Sequence, residues 1–119
     1  MQNTVEWVKE ELTKILQEIR DIEALCDRYE RASSPESREL QQELKARYGS
    51  FKRHLENEYR RTSNLICSGP LSAYYAPAIH EAYVAMSGFG TNLVSKNNLS
   101  TLRQILYDAE MTIRFYLPQ

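Results

Sequence analysis

Apolar residues recur in alternating steps of three and four near the start of the chain. Val5, Val8, Leu12, Ile15, Ile19, Ile22, Cys26 and Tyr29 fill the a and d positions of four successive heptads. Such a seam meets another helix along its whole length. Leu16 and Leu25 lie beside it and widen the stripe, which suits a bundle better than an isolated two-stranded coil. With Asn3 as N-cap and Glu6 three residues on, the pattern predicts a first helix over about 4–31. At about 1.5 Å per residue this rod is roughly 40 Å long.

Ala32-Ser33-Ser34-Pro35 breaks that helix and restarts it, with Ser34 as cap and Pro35 at the first helical position, where its missing N–H is not needed. From 35 to 66 the apolar positions are Leu40, Leu44, Tyr48, Phe51, Leu55, Tyr59 and Ile66, with Thr62 filling one gap. Their 4-4-3-4-4-3-4 spacing is an eleven-residue repeat, which favours a nearly straight helix. The short connection makes the two rods an antiparallel hairpin. Charge agrees: residues 1–31 hold eight acids against five bases, and residues 35–66 hold seven bases against five acids. Gly49 is the misfit, because an interior glycine costs roughly 1 kcal/mol relative to alanine. It reads as a tolerated glycine, a bend, or a close crossing by another helix.

Ser68-Gly69-Pro70 ends the hairpin, and from Cys67 through Ser95 the only formally charged side chain is Glu81. The pattern there predicts two shorter helices, about 71–87 and 98–117, with Pro77 interrupting the first turn of the earlier one. Between them lies a long loop, GFGTNLVSKNN, with Asn97 or Asn98 as the next helix cap. The expected fold is all-α: a single domain, 1–119, in which the long hairpin and the two shorter helices form a four-helix bundle.

The last helix carries two stripes. Leu102, Ile105, Leu106, Ala109, Ile113, Tyr116 and Leu117 make the core face, while Tyr107, Met111 and Phe115 recur every four residues roughly opposite. A helix apolar on two faces must bury both, so the second stripe predicts a subunit contact and a homodimer. Trp7, away from the main seam, and Phe89, in the long loop, are expected to join it as a partner-binding surface.

Composition narrows the function without naming it. The net charge of −1 and 26% charged residues give no global attraction to nucleic acid or an anionic membrane. Cys26 and Cys67 are too few for a disulfide framework. MQNTVEWVKEEL has neither a basic n-region nor an unbroken apolar run, and no stretch approaches the roughly 20 apolar residues of a membrane span. The expectation is a cytoplasmic protein without a membrane role.

Candidate chemistry is sparse. Arg47, His54 and Arg61, spaced by seven, lie along one flank of the second helix. Arginines hold phosphate by paired hydrogen bonds, and a neutral histidine serves as a general base. Arg47 and His54 also make an Arg-x6-His spacing that resembles the signature of HEPN ribonucleases, small all-α dimers whose motif residues meet across the interface. The resemblance implies that Arg47 stabilises phosphate charge and His54 handles the proton. The plainer reading is a solvated flank pairing with acids of the first helix. Arg47 and Arg61, with Arg53 and Arg60, also make anion or nucleic-acid binding an alternative, although Arg53 and Arg60 fall on a different face.

His80 and Glu81 are adjacent but point about 100° apart, so they do not form a couple. No Glu-x-x-His, His-Glu-x-x-His or Cys/His cluster predicts a metal, and no cofactor motif is present. Gly88-Phe89-Gly90-Thr91-Asn92 lacks the strand and the Gly-Lys-Ser/Thr ending of a phosphate loop. Tyr75, Ile79 and Tyr83 share a helical face that reads as core or as a pocket wall. These observations favour a non-enzymatic interaction or adaptor module, with catalysis by Arg47 and His54 as the competing expectation.

Overall fold

The computed structural model describes residues 4–64 and 69–118. Asn3, Ile66, Cys67 and the first residue of the Ser68-Gly69-Pro70 break lie outside them. The described residues form four α-helices and no strand: α1 (Val5–Arg31), α2 (Glu36–Asn64), α3 (Ala76–Met86) and α4 (Leu99–Tyr116).

Helix α1 is capped by Thr4, whose Oγ1 accepts from the Trp7 N–H at 3.1 Å. Its seam is buried from Val8 to Tyr29, and Leu16 and Leu25 are buried beside it, whereas Val5 is 39% exposed at the helix start. On α2, Leu40, Leu44, Tyr48, Phe51, Leu55 and Thr62 are all buried. Arg47 pairs with Asp21, and His54, seven residues further along α2, pairs with Glu18, three residues back along α1. The two rods therefore run antiparallel.

Pro77 does not break the third helix. A π-helical turn at Leu71–Tyr75, in which the Ala76 N–H donates to the Leu71 carbonyl five residues back, leads straight into α3. Widening the turn there gives the proline ring room and shifts the hydrogen-bond register around its missing donor. Gly69, just before this turn, adopts φ 57°, the left-handed conformation that glycine takes without a Cβ penalty.

Cross-helix contacts fix the topology. His80 and Tyr83 of α3 meet Thr62 and Tyr59 of α2; Tyr116 of α4 donates to Glu81 of α3; Arg103 of α4 pairs with Asp27 and Glu30 of α1. Each helix is antiparallel to the one before it, and α4 closes the ring against α1. One apolar core runs through all four.

Helix α3 has 11 residues against 29 in α2, so it covers only part of that rod. The connection from Ser87 to Asn98 covers the next part. Phe89 packs edge-on against Tyr48 at 5.8 Å between centroids, and the Gln41 amide donates to the Val94 carbonyl at 2.8 Å. Two short 3-10 turns, Thr91–Leu93 and Lys96–Asn98, lead to α4. Asn98 occupies the position before α4 but does not cap it; its amide donates back to the Leu93 carbonyl at 2.8 Å, closing the loop on itself.

Gly49 is explained by this loop rather than by a crossing helix. A Cβ at Gly49 would lie 3.2 Å from Thr91 Cγ2, so the glycine admits a close approach of the loop. At the far end, Lys96 Nζ donates to the Glu30 and Ala32 carbonyls at 3.2 and 2.9 Å and lies 4.9 Å from the Tyr29 ring centroid. It thus satisfies carbonyls that the end of α1 leaves open.

Candidate functional site

The flank of α2 that carries Arg47, His54 and Arg61 is a row of ion pairs. Arg47 Nη2 lies 3.5 Å from Asp21, His54 Nδ1 lies 2.9 Å from Glu18, and Arg61 grips Glu58 through Nε and Nη2 at 3.3 and 2.7 Å. The hydrogen bond to Glu18 raises the His54 pKa above the ordinary histidine value, with burial opposing it. Glu18 holds Nδ1, so Nε2 is the nitrogen left to exchange a proton, and the raised pKa leaves a smaller share of the ring neutral.

Glu58 joins the flank to the core. Burial pushes its pKa up, but hydrogen bonds from Arg61 and from the Tyr75 hydroxyl outweigh this and leave it below the usual carboxylate range. Tyr75, raised by burial and by Glu58, stays a donor. Its ring lies 5.1 Å from Trp7, which is half-buried against the core. Trp7 is therefore not a companion of the α4 stripe. Glu23 of α1 faces Glu110 of α4, so the end of α4 falls short of Trp7 by about 15 Å of helix at 1.5 Å per residue.

His80 is a bonded interface residue. Thr62 Oγ1 sits 2.9 Å from the Glu58 carbonyl and 3.2 Å from the Tyr59 carbonyl, both acceptors. His80 Nε2 lies 2.9 Å from Thr62 Oγ1 and 3.4 Å from Ser63 Oγ, which ties the ring into the α2–α3 contact. Tyr59 covers the ring edge-on at 4.6 Å. Glu81 points elsewhere, to Tyr116.

Phe89 also leaves the expected surface. It is 3% exposed, and its carbonyl accepts from the Tyr48 hydroxyl at 2.7 Å and from Lys52 Nζ at 2.9 Å. Burial pushes the Tyr48 phenol well up, so it remains the protonated donor that this bond requires. The buried Cys26 thiol, pushed up to about 11 by burial, is a packing residue rather than a nucleophile. Among the described residues no acid/His/Cys group has the makings of a metal site. No buried side-chain polar atom among them lacks a hydrogen-bond partner.

What remains open is the outer face of α4. Tyr107, Met111 and Phe115 are 53, 46 and 80% exposed, while Leu102, Leu106, Ala109 and Ile113 on the opposite side are buried. The polar neighbours are occupied with one another: Gln104 donates to Asp108 at 2.9 Å, and Arg114 pairs with Glu110. No side chain folds over the stripe from these flanks.

Two features escaped the sequence. Lys52 clamps the loop, but a lysine facing a backbone carbonyl leaves no periodic trace. Val84 of α3 is 64% exposed in a segment whose low charge reads as buried. No helix among the described residues is long and apolar enough to cross a membrane. Compared with protein-family models, curated proteins and solved structures, the chain has no significant match.

Proposed function

We propose that this chain is a non-enzymatic, single-domain interaction module of the cytoplasm, and that it acts by pairing with a second copy of itself through the outer face of α4. The observation that carries the reading is the exposed stripe of Tyr107, Met111 and Phe115. Its layout is self-complementary. Met111 sits midway between two aromatics, four residues to each side, so a two-fold axis at Met111 sets Tyr107 of each copy against Phe115 of the other. Exposed apolar patches with polar rims are what interaction surfaces present.

The state of the alternative residues supports a non-enzymatic role. Arg47, His54 and Arg61 are each engaged by a carboxylate. All three lie on α2, whereas α4 packs against α1 and α3. A dimer built on the outer face of α4 keeps the two Arg47/His54 pairs apart, whereas a HEPN-like ribonuclease needs them in one cleft.

The test is disulfide cross-linking of Met111→Cys in a Cys67→Ser background. An antiparallel pairing predicts rapid formation of a covalent dimer under mild oxidation, and Ser100→Cys, about three turns away, predicts none. Equal cross-linking at both positions would sink the reading.

A further inference from the structure

A cleft of about 370 Å³ opens between the middle of α2, Tyr83 of α3 and the Gly90–Asn92 turn. Its size falls at the low end of small-molecule sites, roughly 300–1,000 Å³. We propose that this cleft binds a small organic anion that carries a flat ring, of the size and chemistry of a nucleoside monophosphate. The site is separate from the outer face of α4 and does not depend on self-association.

The walls are built rather than incidental. The turn is pinned to α2 through the Phe89 carbonyl, which takes both the Tyr48 hydroxyl and Lys52 Nζ. Gly49, by having no Cβ, lets Thr91 seat against the helix. Tyr83 is held with its ring stacked on Tyr59, 4.8 Å between centroids and 22° between planes. A ring entering the cleft therefore meets an aromatic that is already ordered, which lowers the entropy cost of stacking.

The charge of the lining selects the ligand. Lys52 spends one ammonium donor on Phe89, and two remain. Arg53 donates to Ser50 Oγ at 3.3 Å and has no ion pair among the described residues, so most of its guanidinium donors face solvent. The acid at the rim, Glu56, pairs with Arg60 at 2.8 Å and is outnumbered by the two cations. The cleft thus keeps an excess of positive charge on a chain whose net charge is −1. Two cations that line one cleft, together with an aromatic wall, suit a phosphate joined to a planar group.

The experiment is an amide-resolved NMR titration of the full chain with AMP, ribose 5-phosphate and adenosine. AMP is expected to shift Gly90, Thr91, Asn92 and the Arg53 side-chain N–H saturably, with a Kd of about 0.1–1 mM, in the range of modest binding energies. Arg53 is exposed, so Arg53→Glu is expected to keep the fold, checked by its melting curve, and to weaken AMP at least about tenfold, one decade on the affinity scale. Arg53→Gln, which loses the charge but keeps a donor for Ser50, carries the test if the charge reversal perturbs folding, and it is expected to weaken AMP by about half that on the same logarithmic scale. Ribose 5-phosphate is expected to bind more weakly than AMP, and adenosine more weakly still. The proposal is overturned by no saturable shift, by shifts outside the cleft, or by an affinity indifferent to both Arg53 variants. Equal binding of AMP and ribose 5-phosphate would remove the ring from it.

Discussion

The loop between α3 and α4 buries its one aromatic, Phe89, to 3% exposure, while the outer face of α4, a regular helix, leaves Phe115 at 80%. The difference comes from what each segment has beside it. Helix α3 stops after 11 residues and leaves a stretch of the α2 rod, 29 residues long, without a helix on the side that α3 would cover. The loop fills that vacant side, and Tyr48, Gly49, Lys52 and Gln41 hold it there. Helix α4 already has α1 and α3 against its inner sides, so its third side has no element left to meet it. Irregular backbone is thus structural in one place, and regular backbone is open surface in the other.

Truncating the buried aromatic should break the comparison most severely. Phe89→Ala is expected to cost about 3–5 kcal/mol, the usual range for a buried phenylalanine, read from urea unfolding. Tyr48→Phe removes one of the two donors to the Phe89 carbonyl and should cost about 1 kcal/mol, because Lys52 still satisfies the acceptor. Gly49→Ala sets a helix-propensity gain of roughly 1 kcal/mol against a methyl pressed on Thr91. It should therefore stabilise little in the wild type and by close to the full amount in a Thr91→Ala background, a coupling that a double-mutant cycle measures.

A smaller effect concerns the inner side of α4. Burial, and then the neighbouring Glu110 carboxylate, raise the Glu23 pKa. A carboxylate raised on folding favours the fold below its unfolded pKa, and this contribution is lost as pH rises through the folded value. Glu23→Gln should therefore be more stable than the wild type at neutral pH, with the difference vanishing in acid. Glu23 is only partly buried, so solvent screening keeps the gain to about 1 kcal/mol or less. Paired pH series of urea midpoints check both sign and window.

Much of the architecture is legible because helices repeat. The seam from Val8 to Tyr29 and the α2 face from Leu40 to Thr62, with Tyr59 only partly covered, are buried as their spacing implies, and the outward face of Tyr107, Met111 and Phe115 follows from the same arithmetic. The loop was not legible in this way. Phe89 is buried by a vacancy on α2 that exists only once α3 has ended, and Lys52 and Gln41 bond to carbonyls whose positions no side-chain pattern records. Asn98, a good cap by composition, is drawn into the loop instead because the Leu93 carbonyl lies within its reach. The pairing of Arg47 and His54 with α1 acids was readable from the opposite charge balance of the two rods. Trp7 was misplaced because periodicity reports which side of a helix a residue faces, not how far along it the neighbouring helix extends.

The central claim, that the open face of α4 is a contact between two copies, is tested most directly by sedimentation equilibrium on the wild type and Met111→Asp, with unfolding midpoints measured alongside. The account predicts a concentration-dependent dimer for the wild type and a monomer for the variant. At low concentration, where both are monomeric, their stabilities should agree to within about 0.5 kcal/mol, as for a surface substitution. A wild type that stays monomeric at high concentration, or a variant that dimerises equally well, would contradict it.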